Sequence, residues 1–151
     1  MNFFHSKKTQ KSNRARTNQR PLFLSPPFID ASLVDGSFKK IVVLPKYVDE
    51  DEWLAVNVFE FFNYLNMFYG TVTDFCTPTN CPTMSAGPKV FAHIYYHHYE
   101  QILHLREEKQ FNSLFAHFIS FAKEFNLLSD KKELAPLEEL ITYMENNGRI
   151  S

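Results

Sequence analysis

The sequence predicts an all-α domain, and three observations carry that prediction. Apolar residues recur at i, i+3 and i+4 through Phe111, Leu114, Phe115, Phe118, Ala122 and Phe125, the spacing of one helix face. Helix boundary signals bracket a second long segment. Asp49, Glu50, Asp51 and Glu52 crowd the start, where the macrodipole favours carboxylates, and Gly70 stands where a C-terminal cap would. No stretch competes as a strand, and no internal repeat is present. At 151 residues, 44% of them hydrophobic and 22% charged, the chain has the length and balance of one domain with its own core.

The elements follow in order. Lys7, Lys8, Lys11, Arg14, Arg16 and Arg20 all precede the first acidic residue, Asp30, with Ser, Thr, Asn and Gln between them. Such a segment cannot bury enough surface to order itself, so residues 1–27 read as a solvated basic tail closing at Pro26-Pro27. The domain, residues 28–151, opens with a short helix from Phe28 toward Gly36. In the helix over residues 49–69, Glu52, Asn57, Glu60, Asn63 and Asn66 share one arc of the wheel. Trp53, Leu54, Val58, Phe61, Phe62, Leu65 and Phe68 cover the rest, which predicts a mostly buried helix with one narrow exposed strip.

Residues 71–88 are dense in Thr, Asn, Pro and Gly and read as an irregular loop in need of an external staple. A second helix is expected over residues 91–108 and a third over 111–125. The last starts with Pro136 in its first turn and stops before Gly148, with Leu137, Leu140, Ile141 and Met144 on one face. Sixteen Phe, concentrated in residues 59–68 and 111–125, promise a core of interlocking rings.

The staple is a metal. Cys76 and Cys81 are the only cysteines, and Phe91-Ala-His-Ile-Tyr-Tyr-His-His-Tyr99 follows them. No apolar run is long enough to span a membrane, and the first residues lack the core of a secretory signal, so the expected compartment is intracellular. Thiols stay reduced there, which favours ligation over a disulfide. Two thiolates and two imidazoles form a closed tetrahedral set with no open position for a reacting water. Helix geometry pairs His93 with His97, because i and i+4 lie nearly above one another whereas i and i+5 are about 140° apart on an ideal wheel. The spacing Cys-x4-Cys-x11-His-x4-His also nearly fits a C2H2 zinc finger. Against that rival, Pro82 and Gly87-Pro88 fill the span, and Val90-Phe-Ala offers no basic or amide side chain to base edges.

No Ser/His/Asp order or Gly-rich phosphate loop is present, and four glycines would hardly supply one. His5, His104 and His117 stand alone. The chain therefore reads as a binding protein and not an enzyme. Its candidate surface is acidic: Asp49, Glu50, Asp51 and Glu52, with Glu60 two turns on along the polar strip. The formal charge of −1 gives no nucleic-acid signature.

The words around these residues resemble the Mob (phocein-like) kinase activators. They are Leu44-Pro45, Asp49-Glu-Asp-Glu52-Trp53-Leu-Ala-Val-Asn57, Phe61-Phe62-Asn63, Leu65-Asn66-Met67, Tyr69-Gly70, the cysteine loop through Met84-Ser-Ala-Gly-Pro88, and Ala92-His93-Ile94-Tyr95. Phe115-Ala-His117-Phe118-Ile119, Lys123-Glu124-Phe125 and Leu134-Ala135-Pro136-Leu137 continue in order. Residues 28–43 and the ending Glu145-Asn-Asn-Gly148-Arg-Ile150 are closer to the fungal Mob-two type, partner of NDR-class kinases.

The resemblance runs from about Leu22 to the C-terminus and implies a Mob-like helical bundle stapled by structural Zn²⁺ on Cys76, Cys81, His93 and His98. It implies that Asp49, Glu52, Trp53, Glu60 and His117 face the basic helical region that precedes the kinase domain of NDR/LATS kinases. The implied role is a non-catalytic activator in cell polarity and cell-cycle signalling, in the cytoplasm and also in the nucleus and at sites of polarised growth. One break interrupts the match near Lys89-Val90, where family members carry a long segment with a further core helix. The stretch that supplies a phosphopeptide pocket in Mob-one proteins falls in that gap. The break also makes an inactive truncated product the third reading, beside the activator and the finger.

Overall fold

The computed structural model describes residues 19–81 and 89–151, and every regular element among them is helical. The expected tail over residues 1–18 lies outside the described residues. The folded part begins before the expected boundary at Phe28. Leu22–Leu24 forms a 3₁₀ turn, and Phe23 and Leu24 are buried in the main core. A tail reading based on charge misses them, because two apolar side chains anchor a segment regardless of the cations before it.

The helix expected from Phe28 toward Gly36 is a single 3₁₀ turn, Phe28–Asp30, after which Ala31 is extended. Gly36 has φ +113°, a conformation suited to glycine, and it turns the chain into α1, Lys39–Val42. The strand-like link is held by side chains from across the domain. Asn112 Nδ2 donates to Phe28 O (2.9 Å) and Ala31 O (3.1 Å), and Leu33 N donates to Ser113 Oγ (2.9 Å).

The long helix α2 spans Glu50–Val72. Asp49, expected as the first helical residue, is instead the N-cap and accepts from Glu52 N at 3.1 Å, while Glu50, Asp51 and Glu52 occupy the first turn. Gly70 does not cap it. The helix runs on to Val72 and into a 3₁₀ turn, Thr73–Phe75. Thr71 Oγ1 donates to Phe68 O (2.7 Å) and Thr73 Oγ1 to Gly70 O (2.8 Å), satisfying carbonyls that a left-handed glycine would otherwise have to serve.

The burial predicted for α2 is overturned. Only Asn57, Phe61 and Val72 are buried along it, while Val58 and Phe62 on the expected covered side are exposed. Asn57, expected on the polar strip, is buried and donates to Trp53 O at 2.8 Å. The elements that reach α2 from the rest of the domain approach along one narrow stripe.

The second expected helix is three pieces in one rod. α3 (Lys89–His93) passes through a π-helical turn (Ile94–His98) into α4 (Tyr99–His104). α5 covers Glu108–Glu124, α6 Lys131–Leu134 and α7 Glu138–Asn146, the last entered through a 3₁₀ turn at Ala135–Leu137. α5 is the axis, packing against α1, α2, α4 and α7. Phe91, Ile94, Tyr95, Ile102, Phe111, Phe115, Ile119, Leu137, Leu140 and Met144 form the main core with the N-terminal turns. Among the described residues no helix is long and apolar enough to cross a membrane.

Candidate metal centre and docking groove

Cys76, Cys81, His93 and His98 converge, with one potential ligand atom from each and all four within 4.8 Å of one another. Cys76 Sγ lies 3.4 Å from His93 Nε2, Cys81 Sγ lies 3.4 Å from His98 Nε2, and the two Nε2 atoms are 3.1 Å apart. An ion bonded tetrahedrally at ~2.3 Å to sulfur and ~2.0 Å to nitrogen sets S···N edges of ~3.5 Å and N···N edges of ~3.3 Å. The four side chains therefore fit such an ion. No disulfide joins the two cysteines.

The π turn is what makes the histidine pair. Its i→i+5 pattern turns the rod less per residue, so positions five apart come onto one side. His98 is buried and takes part, whereas His97 is exposed and only its ring edge nears His93. The ideal-wheel choice of His97 fails for this reason. Burial pushes both His93 and His98 below the usual imidazole range, assisted by the neighbouring rings, so each is neutral, the form that ligates. Burial pushes the Cys81 thiol up, so a cation is needed to hold its thiolate. Tyr69 Oη donates toward Cys76 Sγ at 3.9 Å from the end of α2. The centre thus ties the end of α2 to the histidine rod.

A second feature opens between α2, α5 and residues 33–38. This groove of about 610 Å³ has an apolar floor including Leu33, Val34, Phe38, Phe61 and Phe68, with Glu60, Glu107 and His117 on its walls. His117 is stacked on Phe38 (centroids 5.4 Å apart) and edge-on to Phe61 (4.7 Å). Its Nε2 is buried and has no hydrogen-bond partner among the described residues.

Of the five predicted partner-facing residues, Glu60 and His117 meet in this groove. Glu52 is exposed in the first turn of α2, about two turns before Glu60, and Asp49 serves as the cap. Trp53 is half-buried, donates from Nε1 to Val42 O (3.3 Å), and packs on Val42, Phe61 and Phe121. Leu33 and Val34 were missed, since no periodic signal marks an irregular segment that lines a groove, and so was Tyr64 of α2.

A family model described as the Mob1/phocein family matches residues 30–90 and 88–137. The chain belongs to the Mob1/phocein family. It is 38% identical to the "CBK1 kinase activator protein MOB2" of Saccharomyces cerevisiae over 204 residues, 93% of this chain and 71% of the relative. The Candida albicans protein of the same name is 38% identical across 87% of this chain and 62% of its own length. The "Maintenance of ploidy protein mob2" of Schizosaccharomyces pombe is 36% identical across 96% of this chain and 87% of that protein.

These Mob matches locate the break. The two family blocks meet at residues 88–90. The aligned span of 204 residues in the Saccharomyces relative exceeds the 151 residues of this chain, so that relative carries residues for which this chain has none. The finger reading has no support from these matches, and the rod that bears the histidines is packed into the helical core through Phe91, Ile94, Tyr95 and Ile102.

Proposed function

We propose that this Mob chain is a non-catalytic activator that binds the basic N-terminal regulatory region of an NDR/LATS-class serine/threonine kinase, in polarity and cell-cycle signalling. The groove between α2 and α5 carries the proposal. Its floor takes the apolar side of an amphipathic helix, and Glu60 and Glu107 on its walls pair with that helix's Arg and Lys. Asp49 and Glu52 extend the acidic field along α2 and raise the on-rate of a cationic partner. The buried Nε2 of His117, which also lines the groove, is a further hydrogen-bonding atom. Ordering the kinase segment here shifts the kinase toward its active state through contacts made in that state alone. The names of the two CBK1 activators support this reading. We place the protein in the cytoplasm, the nucleus and sites of polarised growth on the same family grounds.

The metal in this reading is Zn²⁺, held by Cys76, Cys81, His93 and His98. With four protein ligands it supplies folding energy and no Lewis-acid position for a substrate.

The test is a titration of the chain with a recombinant kinase N-terminal segment. Glu52→Lys with Glu60→Lys should weaken binding by about tenfold or more while leaving helix content unchanged, because both residues are exposed. Raising salt should weaken the wild-type contact as well. Unaltered affinity in the double variant would show this face to be a solvated helix side.

A further inference from the structure

The outward side of α2 is apolar and bare. Phe59 (65% exposed) and Phe62 (62%) stand out from it with Val56 and Val58, while Tyr64 and Met67 border the docking groove. Ala55, Phe59, Phe62 and Asn66 recur at spacings of four, three and four, a helix-pairing seam. With about 200 Å² for a phenyl side chain and ~150 Å² for a valine, these exposures amount to roughly 400 Å² of apolar surface. That lies within the ~300–600 Å² of the largest patch on a monomer and is about half of the ~800 Å² each partner gives a standard interface, the size of a weak, concentration-dependent contact.

We propose that this side is a homodimer interface, covered by the same side of a second copy lying antiparallel across it. Three observations select that occupant. The first is charge. Asp49, Glu50, Asp51, Glu52 and Glu60 hold all the charge near the seam, and residues 61–72 carry none. An antiparallel pair sets each acidic end against the uncharged end of its mate and opposes the two helix dipoles. A parallel pair would press like charges together.

The second observation is shape. A two-fold axis near Phe62 and Asn63 sets Ala55 of one copy opposite Gly70 of the other and Phe59 opposite Asn66, and a Cβ built on Gly70 meets nothing within 4 Å. Small residues at both ends let the helices approach while the phenyl rings fill the middle. The patch is thereby self-complementary, as a two-fold contact requires.

The third is the break. α3 starts at Lys89, beside the junction at residues 88–90, and it packs against α2. The residues that a Mob relative inserts at that junction therefore emerge next to α2, and this chain lacks them. The cover that the short chain always has at hand is another copy of itself.

The experiment is sedimentation of the complete zinc-loaded chain across micromolar to submillimolar concentration, with no kinase present, so its result is independent of the docking reading. A concentration-dependent dimer is expected. Phe59→Glu and Phe62→Glu should each weaken it by about 30-fold or more, with helix content and zinc stoichiometry unchanged. A photo-crosslinking side chain at position 59 should mark residues 63–70 of the mate. A monomer at every concentration overturns the proposal, as does a dimer indifferent to both substitutions. A cross-link from position 59 to residues 52–59 overturns the antiparallel arrangement.

Discussion

α5 and α2 are the two long helices of the molecule, both rich in aromatic rings, and only α5 is enclosed. Phe111, Phe115 and Ile119 of α5 have no exposure and Phe121 almost none, because α1, α2, α4 and α7 surround the helix. α2, at 23 residues, buries three. The apolar content of the two helices does not explain the difference. What covers a helix is set by the sides from which other elements reach it: α3, the π turn, α4 and α5 all meet α2, yet only its one stripe is buried.

α2 is consequently held along one stripe, with a candidate staple at one end. Asn57, Phe61 and Val72 mark the stripe, and Cys76 and Cys81 beyond its C-terminus belong to the group that could hold a metal ion. The largest expected effect comes from removing that staple. Purified protein should carry about one zinc, and chelation should abolish cooperative thermal unfolding, because binding free energy in such sites is folding free energy of ~10 kcal/mol or more, comparable with the whole stability of a domain. Proton release on rebinding, read by a pH indicator, checks that thiols are the ligands. An unfolding temperature indifferent to chelator would show that α2 is held by its stripe alone.

The next effect compares the helices directly. Phe115→Ala in α5 should cost about 3–5 kcal/mol, the price of a cavity in a site that cannot collapse. Phe62→Ala in α2, made at concentrations below dimerisation, should change stability by no more than ~0.5 kcal/mol. Both values come from denaturant unfolding at constant m. A cost at Phe62 approaching that at Phe115 would mean that the outward side of α2 is covered within the monomer.

That contrast also separates what could be read in the sequence from what could not. α5 and α7 were readable because their apolar period of three and four reports a buried face that short-range neighbours supply. The start of α2 was readable because carboxylates crowding a first turn are local chemistry, and Asp49 turns out to cap it. The four residues of the candidate metal group were readable as residue types, but the convergence of His98 rather than His97 on the others was not, since the π turn that joins His93 to His98 is a tertiary accommodation with no local signal. The resemblance found the pair where the wheel did not. Burial of α2 was misread for a complementary reason: an apolar pattern does not tell from which sides other elements reach a helix, and here they leave all but one stripe open. Phe23 and Leu24 were hidden inside a cationic segment, and Gly70 had the right identity for a cap but the wrong neighbours, two threonines that serve the same carbonyls.

The smallest effect lies where the two helices meet. His117 of α5 is wedged between Phe38 and Phe61 of α2, and this burial pushes its pKa below the usual imidazole range; the nearby Glu60 carboxylate opposes the shift but is the lesser influence. The folded state therefore takes up the proton at lower pH than the unfolded chain, whose imidazole titrates near ~6.5. By linkage, the stability that neutral His117 contributes is fully present above that pH and is lost as pH falls toward the depressed folded value. His117→Phe keeps the ring contacts and removes the proton site. Its unfolding free energy should fall less steeply than that of the wild type between neutral pH and the acid side of the imidazole range, and the metal-site histidines, present in both proteins, cancel in the difference. Parallel stability curves would show that the imidazole is wet enough to ionise in place. The seam between α2 and α5 would then be open to solvent from the groove side, and the contrast between the enclosed helix and the bare one would extend into the contact that joins them.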